Sequence, residues 1–192
     1  MTARVLVAGI GNLFLGDDGF GPEVVRRLTA QPTPPGVQVT DYGIRGMHLA
    51  YDLLAGYDAL ILVDALPGAD RPSPGRPSPG QPSHDQPSAD RPNPDRPGYG
   101  APGDVVVLEI SASDLGDADF DAHGMNPAAV LAGLGRLGGT LPRTYLVGCR
   151  AATVAEGIGL SEPVAAAIPE AIAAVRELVA RLAAEPVPGG RA

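Results

Sequence analysis

The chain contains no lysine; all 14 of its basic residues are arginine. That excludes a P-loop lysine and any Schiff-base mechanism. Cysteine is nearly absent as well. Cys149 stands alone, so no internal disulfide can form and no cysteine cluster can hold zinc. At the end of an apolar run it reads as inert packing. No apolar stretch is long enough to span a bilayer. The first apolar run carries Asn12, lacks a clear cleavage site and leads straight into Asp17-Asp18, so it reads as a buried strand rather than a signal peptide. Neither G-x-S-x-G nor H-E-x-x-H occurs, which leaves serine-hydrolase and zincin chemistry without their signatures. Positive charge is in deficit too. The net charge of −8 argues against nucleic acid and against an anionic membrane surface. These absences predict a cytoplasmic protein with no nucleic-acid or membrane partner.

What is present begins with Gly9-Ile10-Gly11-Asn12-Leu13-Phe14-Leu15-Gly16-Asp17-Asp18-Gly19-Phe20-Gly21. Val5-Leu6-Val7-Ala8 before it reads as a strand buried on both faces, and Pro22 to Leu28 after it as a helix. A strand, a glycine turn and a helix normally build an anion site from backbone N–H groups and the helix dipole. Here Phe14 replaces the third glycine of G-x-G-x-x-G, and Asp17 and Asp18 would repel a phosphate. The loop suits a cation.

A length of 192 residues with 44% apolar content fits a single domain. One segment stands apart from it. Residues 67–102 hold 11 of the 21 prolines, contain no Val, Ile, Leu, Met or Phe, and step through Arg-Pro-Ser-Pro-Gly units. Such a stretch cannot bury enough apolar surface to offset its ordering entropy, so it is expected to be a disordered insertion.

Outside the insertion, strands and helices alternate. Strands are expected near 4–9, 36–40, 58–63, 104–110 and 143–149, and helices near 21–30, 47–55, 126–137 and 161–184, with Asn126 capping the third. The alternation implies a three-layer α/β/α domain around a five-stranded, mostly parallel twisted sheet. No helix separates strands three and four, so strand four is expected to run antiparallel to strand three as its neighbour.

In open α/β sheets, ligands bind beyond the carboxyl ends of the strands. Asp18, Asp41 and Asp64 each follow a strand, and His123 precedes a helix that must start on that same edge. Two carboxylates and an imidazole suit a borderline divalent ion such as nickel or zinc. Each residue also has a simpler reading. Asp17 reads as a turn or cap residue, Asp64 as a strand terminator, and His123 as a helix-start histidine. Asp41 could cap a turn, or hold a ribose in a dinucleotide-binding oxidoreductase. His48 and His84 read as bystanders. Arg45, flanked by Gly43 and Gly46 beside the acidic edge, reads either as a substrate contact or as helix-entry packing.

The sequence resembles the maturation endopeptidases of nickel–iron hydrogenases, over almost the whole chain outside 67–102. The resemblance rests on Gly9-Ile10-Gly11-Asn12 with Asp17-Asp18-Gly19-Phe20-Gly21, on Asp41 before a glycine-containing loop, on Val63-Asp64-Ala65, and on His123 before a helix. It implies a phosphorylase/hydrolase-like fold and one protease-like domain over residues 1–192, interrupted at 67–102. It places the metal-contacting and catalytic trio on Asp18, Asp64 and His123, and substrate recognition on the loop that holds Asp41 and Arg45. Where many members read Gly-Gly-Thr-x-Gly after the aspartate, this chain has Tyr42-Gly43-Ile44-Arg45-Gly46. The implied partner is a hydrogenase large-subunit precursor whose C-terminal extension is removed, by metal-dependent or aspartic-type chemistry. The implied metal is nickel supplied by that substrate, with zinc or cadmium able to occupy the same site. A non-catalytic nickel-sensing accessory protein would need the same ligands.

Overall fold

The computed structural model describes residues 3–67, 100–114 and 127–184. Five strands form one sheet: β1 (Val5–Ile10), β2 (Val37–Gly43), β3 (Ala59–Leu66), β4 (Val105–Ile110) and β5 (Arg143–Arg150). Four helices cover it: α1 (Phe20–Thr29), α2 (Gly46–Leu53), α3 (Pro127–Gly133) and α4 (Glu162–Ala184). The spatial order is β2-β1-β3-β5-β4, with β4 alone antiparallel. Among the described residues, no helix is long and apolar enough to cross a membrane.

The central strands read as unbroken apolar runs because both of their faces are covered. Val5, Val7, Ile61, Val63, Val147 and Cys149 meet α1 and α4 on one side. Leu6, Ala8, Ile10, Leu60 and Leu62 meet α2 and α3 on the other. Three layers thus follow from period-2 alternation within strands whose every residue is apolar.

Three expectations are corrected. The fourth strand runs antiparallel to β3 but is not its neighbour, because β5 lies between them. The better-covered strand takes the interior: Tyr145, Val147 and Cys149 are buried, whereas Val107 and Leu108 of β4 are nearly half exposed. β2 and β3 also run further than expected, so Asp41 and Asp64 lie within strands rather than beyond them. Ladder pairing accounts for this in β3, since Asp64, Ala65 and Leu66 pair with Gly148, Cys149 and Arg150. The third helix stops at Gly133 and continues as a 3-10 turn, Leu134–Leu137, where Gly133 and Gly135 weaken the α-helix. The expected cap Asn126 lies outside the described residues.

Most of the proline-rich insertion, residues 68–99, also lies outside them. Its described margins belong to the fold. The Arg150 guanidinium donates to the Pro67 carbonyl at 3.1 Å, Gly103 N–H donates to the Arg150 carbonyl at 2.8 Å, and Ala101 N–H donates to the Asp104 carboxylate at 2.6 Å.

Candidate active site

The glycine-rich turn after β1 is built by close backbone approach. Gly11 has φ +133, a conformation that disfavours side chains, and a Cβ there would lie 1.8 Å from the Asp18 carbonyl oxygen. Directly against the glycine turn therefore packs the chain's own 3-10 turn, Gly16–Gly19. That turn feeds directly into α1.

Asp18 is partly buried in this turn and accepts a hydrogen bond from Asn12 N–H at 2.8 Å. Asp64 sits near the end of β3, on the face shared by Leu60 and Leu62, and accepts from Ala65 N–H at 2.8 Å. β1 joins the two positions: Gly9 pairs with Val63, and the chain then turns through Asn12 to Asp18. Burial pushes the Asp64 carboxyl up to about 7, with the Asp18 charge adding to the rise and the Ala65 N–H opposing it. Asp18 and Asp64 thus form a pair of neighbouring carboxyl groups at the carboxyl edge, where a cation would favour the ionised form of Asp64. Oxygen donors of this kind fit a divalent ion. His123, the third member of the expected trio, lies outside the described residues, four positions before α3 opens at Pro127. His84 lies outside them too. Among the described residues, no group of three His, Cys, Asp or Glu side chains could hold a metal.

Asp41 is not drawn into that pair. It is exposed, and its carboxylate accepts from Gly43 N–H at 2.8 Å, closing a local turn. Arg45 binds the same loop: its guanidinium donates to the carbonyls of Asp41 at 2.7 Å and Tyr42 at 3.1 Å. One exposed and one partly buried bond of this type contribute little, so Arg45→Ala should lower stability by about 0.5–1 kcal/mol in urea titration. A loss above about 2 kcal/mol would make the residue a core element of the fold instead of a loop organiser. Cys149 is fully buried, and burial with the nearby Asp17, Asp104 and Glu170 charges raises its thiol to about 11, as inert packing requires.

The sequence reading missed the environment of Asp17. Its side chain is completely buried, and its carboxylate accepts from Ala152 N–H (2.8 Å), Thr153 N–H (2.9 Å), Ser161 N–H (2.6 Å) and the Ser161 hydroxyl (2.9 Å). Burial alone would raise its pKa, but these bonds prevail and hold it below the usual carboxylate range. Its contribution to stability is full above the unfolded value near 4 and fades as pH falls through the lower folded value. Donor hydrogen bonds, not a counter-ion, therefore let Asp17 stand beside Asp18. Around the turn, Leu13, Phe14 and Ile158 are exposed and form an apolar rim.

No known family model matches the chain. Curated relatives match a shorter stretch. A putative hydrogenase maturation protease of Methanocaldococcus jannaschii is 41% identical over 63 residues, which is 32% of this chain and 41% of that protein. The hydrogenase 2 maturation protease of Escherichia coli is 39% identical over 64 residues, 33% of this chain and 38% of the relative. The matched stretch thus spans less than half the length of each. Solved structures match throughout. The hydrogenase maturating endopeptidase HybD from E. coli superposes with a TM-score of 0.66 at 25% identity, covering 93% of both chains. A hydrogenase 2 maturation peptidase from a Thaumarchaeota archaeon gives 0.61 at 27% identity, covering 92% of this chain and 98% of that one. The chain is thus similar to hydrogenase maturation proteases, in sequence over about a third of its length and in fold over almost all of it. The α/β/α architecture with its single antiparallel strand is the fold that the chain shares with these structures.

Proposed function

We propose that the protein is an endopeptidase that removes the C-terminal extension of a nickel-loaded nickel–iron hydrogenase large-subunit precursor in the cytoplasm, completing its maturation. The observation that carries this reading is the Asp18–Asp64 pair: two neighbouring carboxylates, one raised to about 7, on the carboxyl edge of a fold shared along its length with such proteases. Asp18, Asp64 and His123 would contact the nickel that the precursor brings. The free enzyme holds Asp64 partly protonated at neutral pH, and a cation arriving with the substrate displaces that proton. The pair then becomes fully charged only when loaded substrate is present, which favours a loaded precursor over an empty one. Peptide hydrolysis needs a water activated by a base or a metal, and a carboxyl poised near 7 suits proton transfer at neutral pH. The chemistry is thus of metal-dependent or aspartic type, with no covalent intermediate on the enzyme. The loop of Asp41 and Arg45 lies at the end of β2 on the same sheet edge and would meet the substrate there.

Mass spectrometry of a large-subunit precursor, incubated with and without the protein, tests this directly. The nickel-loaded precursor should lose its C-terminal extension and the nickel-free precursor should not. His123→Ala should reduce processing at least about 100-fold, beyond the range for residues that only support a metal ligand. Its thermal stability should stay within about 0.5 kcal/mol of the parent. A precursor that binds in a nickel-dependent way yet keeps its full mass would replace the protease with a nickel-sensing accessory protein.

A further inference from the structure

Two acidic residues stand side by side in the 3-10 turn, and only one of them is available to a ligand. The other, Asp17, is fully buried and points away into the β5–α4 connection. Its carboxylate takes up the N–H groups of Ala152 and Thr153 just past β5, and both the N–H and the hydroxyl of Ser161 just before α4. The backbone repeats the attachment. Asp17 N–H donates to the Thr153 carbonyl, Gly16 N–H to the Gly157 carbonyl, and Gly157 N–H to the Phe14 carbonyl. Asp18 itself is held from the opposite side, with its carboxylate on Asn12 N–H and its carbonyl against Gly11. The turn is therefore clamped between β1 and the β5–α4 connection. Asp18 follows Asp17 by a single peptide unit, so its direction is set wherever Asp17 is anchored.

We propose that Asp17 is a positioning residue: its buried carboxylate, locked to residues 152, 153 and 161, fixes the orientation of Asp18 toward Asp64. This inference rests on the metal-contacting role proposed for Asp18. The sheet core does not depend on the clamp, because α1 and α4 pack on β1, β3 and β5 through Phe20, Val24, Val164 and Ile168. Loosening the clamp should therefore cost alignment before it costs the fold. Asp17→Asn keeps the shape of the side chain but turns one acceptor oxygen into a donor, which then faces N–H groups that are themselves donors. Ser161→Ala is gentler, since it removes one of the four bonds and leaves the three backbone donors in place.

The test uses the full chain, with cobalt(II) alone as the metal probe and nickel-loaded precursor as the substrate. In Asp17→Asn, cobalt affinity should fall about 10–100-fold, the usual range for residues that orient a ligand, and the ligand-field absorption bands should shift. The far-UV circular dichroism should match the parent. For processing, kcat should drop by a similar factor while KM changes less than about twofold. Ser161→Ala should show the same changes at smaller amplitude, which keeps the test open should Asp17→Asn not fold. Parental cobalt affinity and spectrum in a folded Asp17→Asn or Ser161→Ala protein would overturn the inference. Losses that only track the unfolded fraction would overturn it equally. Asp18→Ala run in parallel separates the two levels. If Asp18→Ala processes precursor normally, the proposed function of the site fails. If Asp18→Ala is inactive and binds no cobalt while both clamp variants behave as the parent, only the positioning role of Asp17 fails.

Discussion

Asp64→Asn should yield a protein that melts at a higher temperature than the parent and no longer processes precursor. The Asp64 carboxyl is raised to about 7, first by burial and then by the Asp18 charge. An unfolded aspartate titrates near 4. Between those values the folded state holds a proton that the unfolded state has released, so stability falls as pH rises from about 4 to about 7 and levels off above. Because the side chain is only partly buried, the penalty at pH 8 is put at about 1–3 kcal/mol rather than the full equivalent of the shift. Asparagine removes the charge while its oxygen can still accept from Ala65 N–H. Calorimetry should show a clear gain at pH 8 and almost none at pH 4. An equal gain at both values, or a loss at pH 8, would contradict the electrostatic account. Processing should fall at least about 100-fold, because a neutral amide can neither balance a cation nor take up a proton.

Gly21→Ala should be among the most damaging single substitutions in the molecule. A Cβ at this position would sit 2.2 Å from the Ile10 carbonyl oxygen and 2.3 Å from the Val63 carbonyl oxygen. Both obstacles are backbone of central strands and cannot move without breaking the sheet ladder. The expected loss is about 2–4 kcal/mol in urea titration, the scale of overpacking in a rigid core. Gly135→Ala is the natural control. Nothing lies within 4 Å of a Cβ there, and its φ is not positive, so the change should be neutral or slightly stabilising. A Gly21→Ala protein within about 0.5 kcal/mol of the parent would remove close helix–strand approach as the reason for this glycine. The functional consequence is spatial. Gly21 lets the first turn of α1 press onto the ends of β1 and β3, which carries the Asp18 turn to the level of Asp64.

Much of the fold was legible along the chain. Apolar runs such as Ala59-Leu60-Ile61-Leu62-Val63 mark strands covered on both faces, and their alternation with helices leaves few architectures other than three layers around a mostly parallel sheet. That the glycine turn is no phosphate site was also legible, from Phe14 in place of a glycine and from two adjacent aspartates, and the close packing of Gly11 against the Asp18 backbone agrees with it. Asp18 and Asp64 could be assigned to one sheet edge because parallel strands share a direction, so the turn leaving β1 and the last residues of β3 must meet there.

Other features arise only when distant segments meet. The position of β5 between β3 and β4 depends on which strand gains more from being covered twice, and that is a competition among all five strands rather than a property of one. Asp41 and Arg45 look like site residues from their place in the chain, yet their hydrogen bonds close the loop they belong to. Asp17 shows the division most clearly. Its sequence neighbours suggest a turn residue or a metal ligand, but its partners lie 135, 136 and 144 positions away. A buried carboxylate must find donors somewhere, and sequence alone could say that such donors were needed. Only the packing of α1 and α4 on one face of the sheet brings residues 152, 153 and 161 to it. The chain's own pattern thus determined the layers and the gathering of acidic residues at one edge of the sheet. The tertiary structure decided which of two adjacent aspartates is buried and which stays partly exposed, because that choice turns on long-range hydrogen bonds that no local pattern encodes.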